Sequence, residues 1–377
     1  MYDEIETVEQ LRALLAVRSD LKKVVIQSVD LRPLGDELTK VRADGAVFLG
    51  CTFDIELLTH VMRTGGTVFP DLPGLEFKPY RHSLYTAEEL LEGWERGNPK
   101  SLVTTTRDAK IYLQYQAAKS AQALIDALAQ RLHDHAIDDA LGDLLNNPEK
   151  PRKVVAIMGG HAMKRGEQSY RDVARIAQRL TARGFFMVSG GGPGAMEATN
   201  LGAWFANEDD AALDAAIAAM QKAPTFRDEG WLELSLEARS RARKGCESLG
   251  VPTWFYGHEP SNVFSTHIAK YFSNSLREDG LLAIAHHGVV FAPGAAGTIQ
   301  EIFQDAAQNH YGVFADVSPM VLFGSRFWKE EKPVWPLLTA LARGKQYEHM
   351  IAVEDDVDAI VRFVETHPPL SYEAAGH

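Results

Sequence analysis

The run Lys153–Met158 (KVVAIM) is the feature that most narrows the folds open to this chain. It is apolar almost throughout and of strand length, as expected of a parallel strand buried on both faces. A loop with Gly159, Gly160 and His161 follows it. Tyr170–Arg183 then places Val173, Ile176, Ala177 and Leu180 at helical spacing, with Gly184 in a C-cap position. The next apolar run, Phe185–Ser189, leads into a second glycine cluster. Further strands are expected at Thr253–Tyr256, Val289–Ala292 and Met320–Phe323, with a last one near Met350–Val353 and a closing helix over Asp355–Thr366. Strands alternating with helices of this length imply right-handed βαβ units. The expected fold class is therefore α/β, a Rossmann-like doubly wound parallel sheet.

The chain before Pro151 reads differently. Leu21–Ser28 and Ala46–Gly50 have strand character, and Gly65–Tyr80 is a turn-rich connection with three prolines. This suggests a smaller N-terminal α/β domain over residues 1–105, joined by a helical bridge over 106–150 to the main domain over 151–377. Along the bridge, Ala121, Leu124, Ile125, Leu128 and Leu132 share one face, and Asn146-Asn147-Pro148 stops the helix. The cluster His133, Asp134 and His135 raises the question of a metal, but no further ligand spacing supports one. These three are expected on a solvated helix face, and no metal site is expected. Between Phe205 and Gly250 lies an Ala/Glu/Arg-rich helical insertion, readable as a lid, a partner surface or plain decoration.

Composition excludes several classes of partner. The 377 residues are 45% hydrophobic and 24% charged, enough for a substantial core, and the net charge is −12. Such a chain is repelled by nucleic-acid polymers and anionic membranes, and no basic run offsets this. No apolar stretch is long enough to span a bilayer. Two cysteines, Cys51 and Cys246, cannot build a disulfide framework. The acidic start MYDEIETVEQLRALLAV lacks the pattern of a signal peptide, so a cytoplasmic location is expected.

The chemistry concentrates in two glycine-rich turns, each placed between a strand and a helix. In the first, Gly190, Gly191, Gly192 and Gly194 follow Ser189, and Pro193 suits a first helical turn. The spacing is not that of a dinucleotide fingerprint, since Ala195 stands where its third glycine belongs, and no Gly-Lys-Ser/Thr ending marks a P-loop. The turn can hold an anion or simply be tight. The second is PGAAGTIQEIF, Pro293 to Phe303, where Ile299, Ile302, Phe303 and Ala306 form an apolar helix face. Thr298 and Glu301 have capping-box spacing, so Glu301 can close its own helix start. Alternatively the backbone N–H groups from Gly294 to Thr298 hold a phosphate, and Glu301 faces the ligand's sugar.

Taken together, SGGGPGAMEA and PGAAGTIQE resemble the paired signature of the LOG family of cytokinin-activating phosphoribohydrolases, once labelled lysine decarboxylases. The resemblance covers the chain from about Pro151 onward. The long form GGGPGAMEA, the upstream loop MGGHAMKRGEQSY and the separate N-terminal domain bring it nearer the larger bacterial nucleotide 5′-monophosphate nucleosidases. It implies hydrolysis of the N-glycosidic bond of a nucleoside monophosphate, releasing base and ribose 5-phosphate, with no cofactor. Carried onto matching positions, Glu301 is the catalytic glutamate and Arg277 the candidate arginine. Gly294, Ala295, Ala296, Gly297 and Thr298 would hold the phosphate. Gly190, Gly191, Gly192, Gly194, Met196 and Glu197 would line the opposite wall, with Gly159, Gly160 and His161 beside them. Glu197 can equally cap its own helix, and Arg277 can equally be a surface residue of SLRED. Two positions depart from the family pattern: Ala295 replaces a glycine, and Gln300 replaces the first of a Glu-Glu pair. They leave room for a non-catalytic nucleotide sensor on the same scaffold. A homodimer or larger homo-oligomer is the expected assembly.

Overall fold

A computed structural model describes residues 3–119 and 124–372, so Ala121 of the expected bridge face lies outside the described residues. The chain forms two compact units: residues up to 84 together with 114–144, and residues 85–113 together with 145 onward. The helical stretch expected as a bridge is thus divided between the two units, the chain crossing from one to the other inside the Arg107–Ala118 helix.

The first unit contains a four-stranded parallel sheet, β1 (Asp3–Ile5), β2 (Val24–Gln27), β3 (Val47–Leu49) and β4 (Thr67–Phe69), paired in that order. Val24, Ile26 and Phe48 fill its core with Leu11, Leu31, Leu34, Leu57 and Val61. β4 lies inside the segment that the prolines made look like a connection; it is an exposed edge of only three residues. The long helix Leu124–Leu145 corrects two expectations. Its buried stripe is Ala129, His133, Ile137, Ala140 and Leu141, whereas Leu124, Ile125 and Leu128 are exposed. Small alanines let the helix approach its neighbours closely along that stripe. His133 and Asp134 are accordingly buried, His133 beside Phe77 and 3.2 Å from the Asp134 carboxylate, and only His135 is solvated.

The second unit carries a seven-stranded, fully parallel sheet. Its strands are β5 (Lys153–Met158), β6 (Phe185–Ser189), β7 (Ser248–Gly250), β8 (His267–Ile268), β9 (Val289–Phe291), β11 (Met320–Phe323) and β12 (Ile351–Glu354). A separate antiparallel pair joins β10 (Asp316–Val317) to β13 (Leu370–Ser371). The order across the large sheet is β12-β11-β9-β5-β6-β7-β8. The chain therefore winds outward from β5 through β6, β7 and β8, then returns to the other side of β5 with β9. This is the Rossmann-like doubly wound α/β arrangement, and its switch point lies between β5 and β9. The buried strand residues explain the central positions: β5, β6 and β9 bury nearly every side chain, as continuous apolar runs require.

The expected strand Thr253–Tyr256 is instead a loop, and the sheet position is taken by Ser248–Gly250. Trp254 explains the change. Its side chain is fully buried and its indole N–H donates to the Asp108 carboxylate at 2.8 Å, which a regular strand would not permit while Phe255 and Tyr256 lie exposed. The insertion after Phe205 contains the helices Asp210–Met220 and Trp231–Arg239. Among the described residues, no helix is long and apolar enough to cross a membrane.

Candidate active site

Three strands end at the switch point, and their following turns meet around one cavity of about 580 Å³. β5 supplies Gly159, Gly160 and His161; β6 supplies Gly190, Gly192 and Met196; β9 supplies Ala295, Ala296, Gly297, Thr298 and Glu301. Arg277 reaches the cavity from the Asn274–Ala283 helix. This is the crevice beyond the carboxyl ends of parallel strands where open α/β sheets place their ligands.

The second glycine turn leaves a helix start without a side-chain cap. The helix it opens runs Ala296–Tyr311, with Ala295 as N-cap and no side-chain cap. The first N–H groups, those of Ala296, Gly297 and Thr298, have no intrahelical acceptor and point out of the helix start. The helix begins earlier than capping-box spacing requires, so Glu301 lies a turn and a half inside it and does not cap. Ala295 sits at φ −99°, an ordinary extended conformation, so alanine is unstrained where the family pattern has glycine. Gly294 does not line the cavity; it lies behind the turn, close against the Thr298 side chain.

Glu301 is 7% exposed, and no side chain among the described residues donates a hydrogen bond to it. Arg277 Nη1 stands 3.6 Å from Glu301 Oε1, too long for a hydrogen bond and close enough for strong charge attraction. Burial raises the Glu301 pKa to about 7; Arg277 opposes that rise and Glu278 adds to it. Arg277 is not a surface residue: its side chain is 12% exposed, and its Nε donates to the Val251 carbonyl at 2.9 Å. Gly190 makes room for it, since a Cβ there would come within 2.4 Å of Arg277 Nη2. Glycine at this position of the first turn thus leaves room for the arginine.

Glu278, Tyr256, Glu259 and Thr253 complete the wall without having been anticipated. Glu278 is buried; Oε2 accepts from Asn274 Nδ2 at 2.9 Å and Gln300 Nε2 at 3.2 Å. Gln300, the second departure, therefore donates to a carboxylate that a glutamate at this position would repel. The readable signal was Glu278's adjacency to Arg277, masked by the surface-like string SLRED. Glu259 Oε1 faces His161 Nδ1 at 3.9 Å across the mouth.

Three other residues of the expected site also lie away from this cavity. Gly191 packs against Pro252 and Gly250, and its carbonyl accepts from the Asn262 N–H. Gly194 caps the Ala195–Trp204 helix at φ 72°, where a Cβ would sit 2.5 Å from the Gly160 carbonyl oxygen; only glycine fits. Glu197 is buried and saturated. Arg165 Nε and Nη2 donate to its two oxygens at 2.9 and 2.5 Å, and Tyr170 Oη donates at 2.9 Å. It does not cap the helix either. Gly194 and Glu197 border a smaller cavity of about 200 Å³ that shares His161 with the larger one.

Comparison with protein-family models and with curated proteins finds no match. Among solved structures, the chain is similar to the molybdenum cofactor binding protein from Rippkaea orientalis, at 11% identity and a TM-score of 0.37, covering 57% of this chain and 96% of that one. It is also similar to the molybdenum cofactor carrier protein from Chlamydomonas reinhardtii, at 15% identity and a TM-score of 0.37, covering 57% and 97%. The fold assignment given above rests on the sheet topology of the chain itself.

Proposed function

We propose that the second unit is a LOG-type nucleoside 5′-monophosphate N-glycosidase. The observation that carries this reading is Glu301: a buried carboxyl without a hydrogen-bond donor, facing an open cavity one and a half turns from an uncapped helix N-terminus. A phosphate seated on the N–H groups of Ala296, Gly297 and Thr298, with the Thr298 hydroxyl as a further donor, places the attached ribose toward Glu301. Cleavage of the N-glycosidic bond builds positive charge on the sugar, and the Glu301 carboxylate stabilises that charge or orients the attacking water. Arg277 opposes the pull of burial on Glu301, favouring its ionised form, and screens it from the phosphate.

Ala295 and Gln300, the two departures that leave room for a binding-only protein, both have local roles in the turn and wall, so neither argues for lost turnover. The test is incubation of the protein with AMP, GMP, CMP, UMP and IMP. Release of free base, absent in Glu301→Gln, is the expected result. Binding of a nucleotide with no base released from any of the five would overturn the reading in favour of a sensor.

A further inference from the structure

Outside the cavity, the second unit buries a charged cluster that the proposed reaction does not use. Asp108, on the Arg107–Ala118 helix, is paired with Lys270 just beyond β8; Lys270 Nζ lies 2.8 Å from Oδ1 and 2.9 Å from Oδ2. Both residues are almost fully buried. The pair is a seat for the Pro252–Ser261 loop, which touches it in three places. Trp254 donates its indole N–H to Asp108, Ser261 Oγ accepts from Lys270 at 3.3 Å, and His258 Nε2 stands 3.6 Å from Asp108 Oδ2. Other residues of the loop face the cavity: Tyr256, Gly257 and Glu259 between the anchors, and Thr253 just before the first, form one of its walls.

His258 is the weak anchor. Its side chain is only 9% exposed, yet neither ring nitrogen has a hydrogen-bond partner among the described residues. Asp108, already shared between Lys270 and Trp254, stands beyond hydrogen-bond distance of the imidazole. The titratable and charged groups that face His258 are Asp108 and Tyr112 from the helix and Lys270 from the strand side. The loop also reaches the reacting end of the cavity. Tyr256 Oη accepts from Asn274 Nδ2, and Asn274 donates as well to Glu278, the neighbour of Glu301.

We propose that the Pro252–Ser261 loop is a latched wall of the ligand cavity, with Asp108 and Lys270 as its seat and His258 as a positioning residue whose protonation releases it. A neutral imidazole can stay in the seat on packing alone. An imidazolium there would be desolvated and would meet the Lys270 ammonium, with only partial compensation from the Asp108 carboxylate at 3.6 Å, already shared with Lys270 and Trp254. Burial accordingly holds the His258 pKa below its ordinary value, Asp108 opposing this and Lys270 adding to it. The sign follows: seating is at full strength above the ordinary histidine pKa and is lost as pH falls through the lowered one. Tyr256 and Glu259 then leave the wall, and ligand affinity drops.

The loop itself is the thing to measure, because Glu301 titrates in a neighbouring range and would confuse an activity profile. Amide hydrogen exchange of the 254–262 segment, in ligand-free full-length protein, is compared between wild type and His258→Phe at each pH from 7.5 to 5.5. The phenyl ring keeps the packing and cannot be protonated. The ratio of wild-type to variant exchange is expected to climb toward low pH, by up to about tenfold per pH unit. A ratio that stays constant overturns the proposal. Asp108→Asn/Lys270→Met, which keeps an acceptor for the Trp254 indole, provides a second arm. The climb should persist or grow in that background, because burial is unchanged and Asp108 opposes the lowered pKa more than Lys270 adds to it, and a lost climb also overturns the proposal. Because no nucleotide is present, failure of the glycosidase reading would leave this result standing, and the reverse.

Discussion

Glu197 and Glu301 are both buried glutamates on helices that open from the two glycine turns, and their surroundings are opposite. Glu197 has Arg165 across both oxygens and Tyr170 on one of them, while Arg165 spends its remaining donors on the Ser235 hydroxyl and the Ala223 and Trp231 carbonyls. Its carboxylate ties the Gln168–Ala182 and Ala195–Trp204 helices to the helical insertion. Glu301 has one guanidinium at 3.6 Å and open cavity in front of it. The contrast teaches how to read a buried acid. Saturation marks a structural joint, and an unsatisfied carboxyl facing space is the candidate for chemistry proposed above.

The largest effect that would break the comparison is on turnover. Glu301→Gln should lower base release from nucleoside monophosphates by about 10²–10⁴-fold, a range typical for loss of a positioned acid–base group. Its thermal midpoint should stay level or rise, because a buried titrating acid is replaced by a neutral amide. Retained turnover would place Glu301 with Glu197, as structure only. The mirror experiment is Glu197→Gln. It leaves the Arg165 charge buried and unpaired, so unfolding in denaturant should show a loss of about 3–5 kcal/mol. A stability change below about 1 kcal/mol would show that the joint is not held by that pair.

Much of this contrast was hidden in the sequence for definite reasons. β5, β6 and β9 were legible because strands buried on both faces must be apolar at every position, and the turns after them were legible as glycine clusters. Those two facts already locate the switch point. The fate of individual carboxylates was not legible. Glu197 depends on Arg165, 32 residues away by numbering, and Glu301's capping role was refuted only by where its helix begins. The Thr253–Tyr256 segment reads as a strand from its β-branched and aromatic residues; Asp108, far upstream, pulls Trp254 out of that pattern. Leu124, Ile125 and Leu128 misled in the same way, since apolar spacing identifies a face without saying that it is covered.

Asp305 extends the comparison one turn beyond Glu301. It is buried, Oδ2 has no hydrogen-bond partner among the described residues, and burial raises its pKa to about 8. A carboxyl raised in the folded state stabilises fully below its ordinary pKa near 4, and that share is lost as pH rises through about 8. The slope from this group alone reaches about 1.4 kcal/mol per pH unit within that window. Glu301 contributes with the same sign up to about pH 7. Asp305→Asn should therefore flatten the decline of stability between pH 5 and 8, read by denaturant unfolding at each pH. An identical decline in the variant would mean that Asp305 finds a proton-independent partner in solution.

The smallest predicted effect is the most specific to the site. Burial is the main reason Glu301 titrates near 7, Arg277 is the main force against it, and Glu278 adds a lesser upward push. If ionised Glu301 supports the reaction, kcat/KM for AMP falls on the acid side with a midpoint set by this balance. Glu278→Gln removes the like charge while its amide oxygen can still accept from Asn274 and Gln300. The acid limb should move to lower pH by a fraction of a unit. Arg277→Met should move it the other way, beyond its cost in binding. A limb that ignores both substitutions belongs to a different group, and Glu301 would then owe its open surroundings to something other than proton chemistry.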